Sequence, residues 1–222
     1  MDCGGMDDRD GRAQAQAMLG PLPSSFYDRD ALEVAADLIG CHIIHGEVQL
    51  RITEVEAYRF PNDSANHARA GRTPRNAPMW GPPGHAYIYL CYGLHRMLNF
   101  VTGPSGHAAA VLIRAAEPVA GLSLIQARRG GKTGPVLLTG PGKVGEALGL
   151  SLNQSGTALD GPLKVHPRSA TPALLAGPRV GIDYASPEDR EAPWRIALAQ
   201  SRWVSFPKGL KSLGSAITSI SS

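Results

Sequence analysis

The chain has 222 residues, of which 43% are hydrophobic, enough to bury the core of one sizeable domain or two small ones. Its three cysteines are irregularly spaced and have no CxxC or His-rich pattern beside them, which predicts reduced thiols and no metal site. No apolar run approaches the roughly 20 residues of a membrane span, and the acidic start is unlike a secretory signal. We therefore expect a cytoplasmic protein that does not enter a membrane.

Positive charge is concentrated in the middle of the chain. The formal net charge is only +3, yet residues 66–132 contain eight Arg or Lys residues and a single acidic residue, Glu117. The first 30 residues show the opposite balance, with six Asp and three Arg. A local positive excess attracts anionic ligands, so residues 66–132 are a candidate surface for a polyanion such as nucleic acid.

The predicted elements follow one another closely along the chain. Residues 1–23 have few large apolar side chains and no periodicity, which predicts a flexible acidic lead-in. Apolar residues at helical spacing then predict a helix over residues 27–39, capped by Asp28 or Asp30 and ended by Gly40. Strands are predicted at Cys41–Ile44, Val48–Glu54, Ala86–Tyr92, Met97–Val101, Ala109–Arg114, Gly161–Val165, Arg179–Ile182 and Trp194–Leu198. Two more helices are predicted at about Leu122–Arg129 and Gly142–Leu148.

This order of elements favours a single α+β domain. Several strands are separated by Gly/Pro-rich loops at hairpin spacing, and the chain has no GxGxxG, no P-loop and no βαβ rhythm. We expect a curved, largely antiparallel sheet flanked by helices, built by residues 24–207. Residues 208–222, which are rich in Ser, are predicted to form a flexible tail.

Two glutamates lie two residues apart in one predicted strand. Because side chains alternate along a strand, Glu54 and Glu56 should project from the same face, together with Ile52. Both carboxylates could be solvated, as surface glutamates usually are. If one of them enters a pocket, it could act as a general base on water.

Aromatic residues follow in a second predicted strand. Alternating tyrosines, Tyr87 and Tyr89, are typical of ordinary sheet packing, but such rings can also stack on bases. Tyr92 precedes Gly93, where the strand should turn, so its ring is a candidate to protrude and separate stacked bases. An isolated histidine such as His67 is more often a hydrogen-bonded structural residue than a catalyst.

Several uncommon strings occur in a fixed order along the chain. They are TEVEAY, a His eleven residues after the second Glu, GRTPRN, MWGPPGHAYIYLCYG, an Asn, AVLIRAAEP, GPGK and GPRVGIDYA. Together they resemble the alkyladenine (3-methyladenine) DNA glycosylase family over roughly residues 25–207. The resemblance implies a single-domain enzyme that needs no metal or other cofactor, has no lysine nucleophile and hydrolyses an N-glycosidic bond with water.

The resemblance also implies a role for each matching residue in the pocket. Glu56 matches the general base that activates water, and Arg114 matches the residue that helps hold this water. Asn99 matches the side chain that excludes purines with a 2-amino group. The walls of the pocket for the flipped base are matched by Tyr58, His67 and Tyr89.

A second set of matching residues implies contact with DNA. Tyr92 matches the residue that is inserted where the flipped nucleotide had been. Positions near the DNA backbone are matched by Arg72, Thr73, Met79 and Lys143. The sequence departs from the family at Thr139, where an Asn is usual before Gly-Pro, and at His95, where some relatives have an aromatic residue.

These residues predict a monofunctional glycosylase that acts on double-stranded DNA as a monomer, associated with the nucleoid if the protein is bacterial. Expected substrates are alkylated or deaminated purines: 3-methyladenine, 7-methylguanine, hypoxanthine and ethenoadenine. Two alternatives stay open, a non-catalytic nucleic-acid-binding module and a hydrolase of free nucleosides. A pure binder gains nothing from a carboxylate that repels phosphate, and a nucleosidase has no use for the basic surface.

Overall fold

The computed structural model describes residues 20–213, which form one antiparallel sheet with short helices on it. The strands of the described chain are β1 His42–His45, β2 Val48–Tyr58, β3 Ala86–Cys91, β4 His95–Thr102, β5 Ala109–Ala120, β6 Leu163–His166, β7 Leu174–Gly177, β8 Arg195–Leu198 and β9 Lys211–Ser212. The helices are α1 Ser24–Tyr27, α2 Ala31–Leu38, α3 Leu122–Arg128, α4 Pro141–Leu148 and α5 Pro187–Glu191. Short 3-10 turns occupy Ala77–Trp80, Pro135–Leu137 and Leu152–Gln154.

The sheet runs in the order β3-β4-β5-β2-β8-β7-β9, with β1 joining β2 to β6. All of these pairs are antiparallel, as the hairpin spacing in the sequence predicts. Register shifts interrupt the pairing of β2 with β5, and such bulges bend a strand. The predicted α+β class with a curved, largely antiparallel sheet is thus confirmed.

The first long helix, α2, shows how local signals place the elements. The side chain of Asp30 accepts a hydrogen bond from the Leu32 N–H at 2.9 Å, which satisfies one of the free donors at the helix start. After Ile39, Gly40 has φ +88°, a left-handed conformation that side chains disfavour. The apolar face of α2 packs into the main core against β2 and β5.

Helix α4 packs unusually close to β4. A Cβ atom at Gly145 would overlap the backbone carbonyl of Arg96, and one at Gly142 would lie 2.8 Å from the His95 Cβ. Only glycine permits this approach, so the helix supports the strand directly at the turn end of the β3–β4 hairpin.

Two sequence predictions about strands are wrong. Residues Arg179–Ile182 form a loop and not a strand, while Leu174–Gly177, which was not predicted, forms β7. Ile52 does not share a face with Glu54: a register shift between them turns Ile52 into the core together with Val55 and Ala57. The β-period of two cannot reveal such an irregularity.

The termini lie partly outside the described residues. Most of the predicted acidic lead-in, residues 1–19, and the end of the predicted tail, residues 214–222, belong to this part of the chain. Within the tail, Lys211–Ser212 pairs with β7 as strand β9, so the sheet extends past residue 207.

Candidate active site

A cavity of about 490 Å³ opens at the C-terminal half of β2. Its walls come from β2, β3, β4 and β5, together with loops around residues 67–79 and 180–184. The cavity brings together all six residues that the sequence predicts for catalysis and base binding: Glu56, Tyr58, His67, Tyr89, Asn99 and Arg114. It also includes Tyr92 and Met79 from the predicted DNA-binding set, whereas Arg72, Thr73 and Lys143 do not line it.

Glu56 is 0% exposed, so the alternative of a solvated surface glutamate is excluded. Its Oε1 atom accepts a hydrogen bond from the Val180 N–H at 2.7 Å and faces a guanidinium nitrogen of Arg114 at 3.2 Å. Its Oε2 atom accepts a hydrogen bond from the Tyr58 hydroxyl at 3.0 Å. A buried carboxylate needs such donors, because removing an unpaired charge from water costs on the order of several kcal/mol even after the protein has relaxed around it.

Glu54 is also buried, and together with Glu56, Arg114 and Arg195 it forms a network of buried charges. Its Oε1 atom lies 3.0 Å from a guanidinium nitrogen of Arg195 and 3.4 Å from Nε of Arg114, and its Oε2 atom accepts the Ser205 N–H at 2.5 Å. Arg114 thus lies between the two glutamates. Burial lowers the pKa of Arg114, but the attraction of Glu56 and Glu54 outweighs burial and raises it above its ordinary value. Arg195 was not singled out by the sequence, because its contact with Glu54 joins β8 to β2.

Tyr58 has two functions in this geometry, since its ring forms a cavity wall while its hydroxyl binds Glu56. Burial, followed by the negative charge of Glu56, raises the pKa of Tyr58 well above its ordinary value. The hydroxyl therefore stays protonated and remains a donor at every physiological pH.

Three aromatic rings form the opposite part of the lining. The rings of His67 and Tyr89 meet edge to face at 4.6 Å between centroids, and those of Tyr87 and Tyr89 lie 5.3 Å apart. His67 Nδ1 is 3.2 Å from the Tyr87 hydroxyl, whose pKa burial raises to about 12. Burial, then Arg75 and Arg69, lower the pKa of His67, so its ring is neutral at pH 7. Tyr87 is therefore a cavity residue, which the alternation of its strand did not distinguish from sheet packing.

Asn99 is buried on β4, and its amide nitrogen donates to the carbonyls of Tyr87 at 3.1 Å and Met97 at 3.2 Å. Both amide hydrogens are thereby used. Asn99 consequently has a fixed orientation and offers a ligand only its oxygen.

Tyr92 lies at the tip of the β3–β4 hairpin and is 92% exposed. Its φ is +52° and that of Gly93 is +70°, as a tight turn with two left-handed central residues requires. A left-handed conformation costs a non-glycine residue roughly 1–2 kcal/mol. The turn thus presents the exposed ring beside the cavity.

The remaining residues predicted to contact DNA lie in different environments. Arg72 and Thr73 are exposed, and Lys143 is half-buried on α4, where burial and then Arg129 and Lys132 lower its pKa. Met79 is buried in a small apolar cluster with Tyr87, so it belongs to the cavity wall and not to the exposed surface.

Arg75 lies at the rim of the cavity, although its role cannot be predicted from the sequence. It donates to the Leu90 carbonyl at 3.0 Å, and its guanidinium lies 5.4 Å from the centre of the Tyr89 ring. The only sequence signal for it is its place in the GRTPRN string.

Thr139, where the sequence departs from the motif of the resembling family, and Gly140 lie next to Arg114 and its two glutamate partners. The Gly140 N–H donates to the Arg114 carbonyl at 3.0 Å, and Thr139 forms an isolated bridge with Ala115. Thr139 therefore fixes the backbone beside Arg114, while His95 packs against Gly142 at the start of α4.

Within residues 20–213, no three His, Cys, Asp or Glu side chains are close enough together to bind a metal ion. None of the helices in this range is long and apolar enough to cross a membrane.

The profile of the Methylpurine-DNA glycosylase family matches residues 25–202. The chain belongs to this family. A putative 3-methyladenine DNA glycosylase of Nitrosococcus oceani is 64% identical over 186 residues, which cover 83% of this chain and 92% of the relative. The DNA-3-methyladenine glycosylase of Arabidopsis thaliana is 52% identical over 201 residues, 89% of this chain and 79% of the relative. A putative 3-methyladenine DNA glycosylase of Methanoculleus marisnigri is 47% identical over 193 residues, 83% of this chain and 98% of the relative.

Family membership confirms the resemblance seen in the sequence and the enzyme class predicted from it, a hydrolytic DNA glycosylase with a role in DNA repair. The cavity lies entirely within the matched residues.

Proposed function

We propose that this Methylpurine-DNA glycosylase family member is a monofunctional enzyme that removes alkylated or deaminated purines from duplex DNA. The observation that carries the proposal is the buried Glu56 carboxylate, held by Val180, Tyr58 and Arg114 in a cavity with aromatic walls. Such a cavity accepts a planar base, and the carboxylate supplies the group that hydrolysis requires.

In the proposed reaction Glu56 acts as the general base. Glu56 takes a proton from a water molecule, whose oxygen attacks C1′ of the sugar, while the bond from C1′ to the base nitrogen breaks. The base leaves with the bonding electron pair. The sugar passes through an oxocarbenium-like state, which the negative charge of Glu56 also stabilises. Arg114 lies 3.2 Å from Glu56 and can help to hold the water.

The aromatic walls favour positively charged alkylated bases. Tyr58, Tyr89 and His67 can contact the faces and edges of an extruded base, and a cationic base is attracted to electron-rich rings. A cationic purine also leaves as a neutral molecule, so it needs no acid. A neutral base such as hypoxanthine requires a proton donor, and neutral His67 does not provide a charged one.

Base flipping is the step that we assign to Tyr92. Its exposed ring at the hairpin tip is suited to fill the space that an extruded nucleotide leaves, at a cost of a few kcal/mol for unstacking. The exposed Arg72 and Thr73, together with Lys143, are proposed to contact the DNA backbone. We expect a monomer that works in the cytoplasm, near the nucleoid if the cell is bacterial.

The decisive experiment is an excision assay with purified protein. Duplexes carrying 3-methyladenine, 7-methylguanine, hypoxanthine or ethenoadenine should lose the base, whereas the matching undamaged duplex should not. The corresponding free nucleosides serve as the control, and their hydrolysis at a similar rate would favour a nucleosidase. Binding of the duplexes without release of any base would favour a non-catalytic module.

A further inference from the structure

We propose that the ion pair of Asp63 and Arg179 is a positioning device that aligns two of the hydrogen-bond donors that hold the Glu56 carboxylate. These donors, the Tyr58 hydroxyl and the Val180 N–H, come from two distant parts of the chain. The side chain of Arg179 connects the two parts. The expected effect on base release rests on the proposed function, whereas the expected effect on the position of Val180 does not.

The ion pair itself is fully enclosed, with 0% exposure of either side chain. Two guanidinium nitrogens of Arg179 donate to the two carboxylate oxygens of Asp63 at 2.7 and 2.8 Å. One of them also donates to the carbonyl of Ala57 at 2.9 Å. A parallel, two-point contact of this kind fixes the guanidinium in one orientation.

The first donor is held through ring stacking. The guanidinium of Arg179 lies 4.7 Å from the centre of the Tyr58 ring and 4.8 Å from that of Trp194. Arg179 therefore contacts the ring of Tyr58 and, through Ala57, the backbone next to it. These contacts fix the position from which the Tyr58 hydroxyl reaches Glu56.

The second donor is held through the backbone. Val180 follows Arg179 directly, in a loop that has no strand pairing of its own. Without sheet hydrogen bonds, the Val180 N–H is positioned by the anchors of its loop. These are the Arg179 side chain directly before it and the Pro178 carbonyl, which accepts a hydrogen bond from Arg195 at 2.7 Å. Glu56 then receives this N–H at 2.7 Å.

Asp63 also holds the loop before His67. Its carboxylate accepts the backbone N–H groups of Arg59 at 3.1 Å and Ala65 at 2.9 Å, in addition to Arg179. One ion pair thus joins the end of β2, the loop that leads to His67 and the loop that carries Val180.

Arginine is required for this arrangement. Lysine has neither a planar group that stacks between two rings nor a fork that contacts both oxygens of a carboxylate. Replacing Arg179 by lysine keeps the charge next to Asp63 but removes the geometry, so the substitution separates positioning from charge.

The test compares Arg179→Lys and Asp63→Asn with Arg168→Lys. Arg168 is a matched control: it contacts Asp37 at 3.1 Å and the carbonyls of Ala36 and Asp37, and it does not line the cavity. Asp63→Asn retains the shape of the side chain and provides a second variant if Arg179→Lys does not fold.

Two measurements are made on each folded variant. Amide hydrogen exchange at Val180 reports on positioning without any need for activity. Single-turnover base release at saturating duplex, as a function of pH, with affinity for the same duplex measured separately, reports on chemistry. Since small displacements of catalytic groups can cost on the order of 10²-fold in rate, a fall of this size is expected with nearly unchanged affinity.

We expect faster Val180 exchange, slower release and an altered pH–rate profile in Arg179→Lys and Asp63→Asn, but not in Arg168→Lys. Unchanged Val180 exchange would overturn the inference, as would rates equal to that of Arg168→Lys. If the wild-type protein releases no base at all, the proposed function fails, and Val180 exchange still decides whether the ion pair positions the loop.

Discussion

The hydroxyl of Tyr58 donates a hydrogen bond to the carboxylate of Glu56 at 3.0 Å, although the two residues are only two positions apart in one strand. The side chain that forms one wall of the cavity thus also restrains Glu56, the proposed general base. Because the pKa of Tyr58 is raised well above its ordinary value, this donor persists throughout the pH range of the enzyme.

The first prediction concerns Glu56. We expect Glu56→Gln to bind lesion-containing duplex as the wild type does and to release the base about 10²–10⁴-fold more slowly, since the amide cannot accept the proton of water. Single-turnover release and a duplex binding isotherm measure the two properties.

Glu117→Gln is a suitable control for Glu56→Gln. Glu117 forms an ion pair with Arg51 on the neighbouring strand and does not line the cavity, so its loss should leave base release intact. Glu54→Gln is not suitable, because it would leave the buried Arg195 without its carboxylate partner. Near-normal activity of Glu56→Gln would show that another group activates the water.

The second prediction concerns Tyr92. Tyr92→Asn should weaken base release by the equivalent of about 1–3 kcal/mol, because the ring that fills the vacated stack is lost. Its free energy of unfolding should nevertheless equal that of the wild type or exceed it by about 1 kcal/mol, because Asn tolerates a left-handed conformation better. Chemical denaturation and single-turnover release check the two parts.

Comparing a well-paired lesion with the same lesion opposite a mismatch tests whether Tyr92 acts in extrusion of the nucleotide. The defect should be largest for a well-paired lesion and smaller opposite a mismatch, where extrusion costs less. Phe206→Ala, which removes another exposed ring outside the cavity, should have no such effect. An equal defect in both contexts would show that Tyr92 does not act in extrusion of the nucleotide.

The third prediction concerns Asn99. Asn99→Ala should increase excision of normal guanine while largely sparing hypoxanthine, because it removes the group that crowds a 2-amino substituent. The amide hydrogens of Asn99 are bound to backbone carbonyls, so exclusion by this residue would be steric. Release of both bases is measured in single turnover. A uniform fall for both would instead make Asn99 a structural residue of β4.

The fourth prediction concerns pH and His67. Burial, then Arg75 and Arg69, lower the pKa of His67 from its ordinary value, so the ring gains its charge at a lower pH than an exposed imidazole does. A charged ring would repel a cationic base, so release of 3-methyladenine should fall relative to hypoxanthine as the pH decreases. Any pH dependence that the two substrates share cancels in the ratio. His67→Gln should flatten this change, and an identical ratio profile in both proteins would remove His67 from the recognition of charge.

The fifth prediction concerns the type of chemistry. EDTA should leave base release unchanged, as the sequence has no metal-ligand pattern. Borohydride should trap no covalent complex with DNA, because water and not a lysine is the proposed nucleophile. A stable cross-link would point to a lyase mechanism and contradict the monofunctional assignment.

The sequence predicts the elements with strong local signals and misses the contacts between distant segments. The helix at α2 has a capping Asp30 and a terminal Gly40, each of which lies next to one helix end and acts locally. The partners Asp63 and Arg179 are 116 positions apart, and neither has a pattern that refers to the other. The sequence pattern predicts a strand at Arg179, because apolar residues alone cannot show that buried arginine side chains hold this segment as a loop.

In the candidate site, too, residues with a local sequence signal could be predicted and residues without one could not. Glu56, Tyr58 and Tyr89 could be selected because uncommon strings surround them, and the structure brings these residues to one cavity. Val180 could not be selected, because it contributes only a backbone N–H, which every residue except proline possesses.

The glycines of α4 determine how the β3–β4 hairpin responds to a load. With Gly145 against the Arg96 carbonyl and Gly142 against His95, the helix leaves β4 no space to recoil toward it. Force applied to the Tyr92 ring by a stacked duplex would pass through the hairpin into α4 and the sheet behind it. In the proposed reaction the protein is therefore the stiff member of the pair, and the deformation that opens the stack occurs in the DNA.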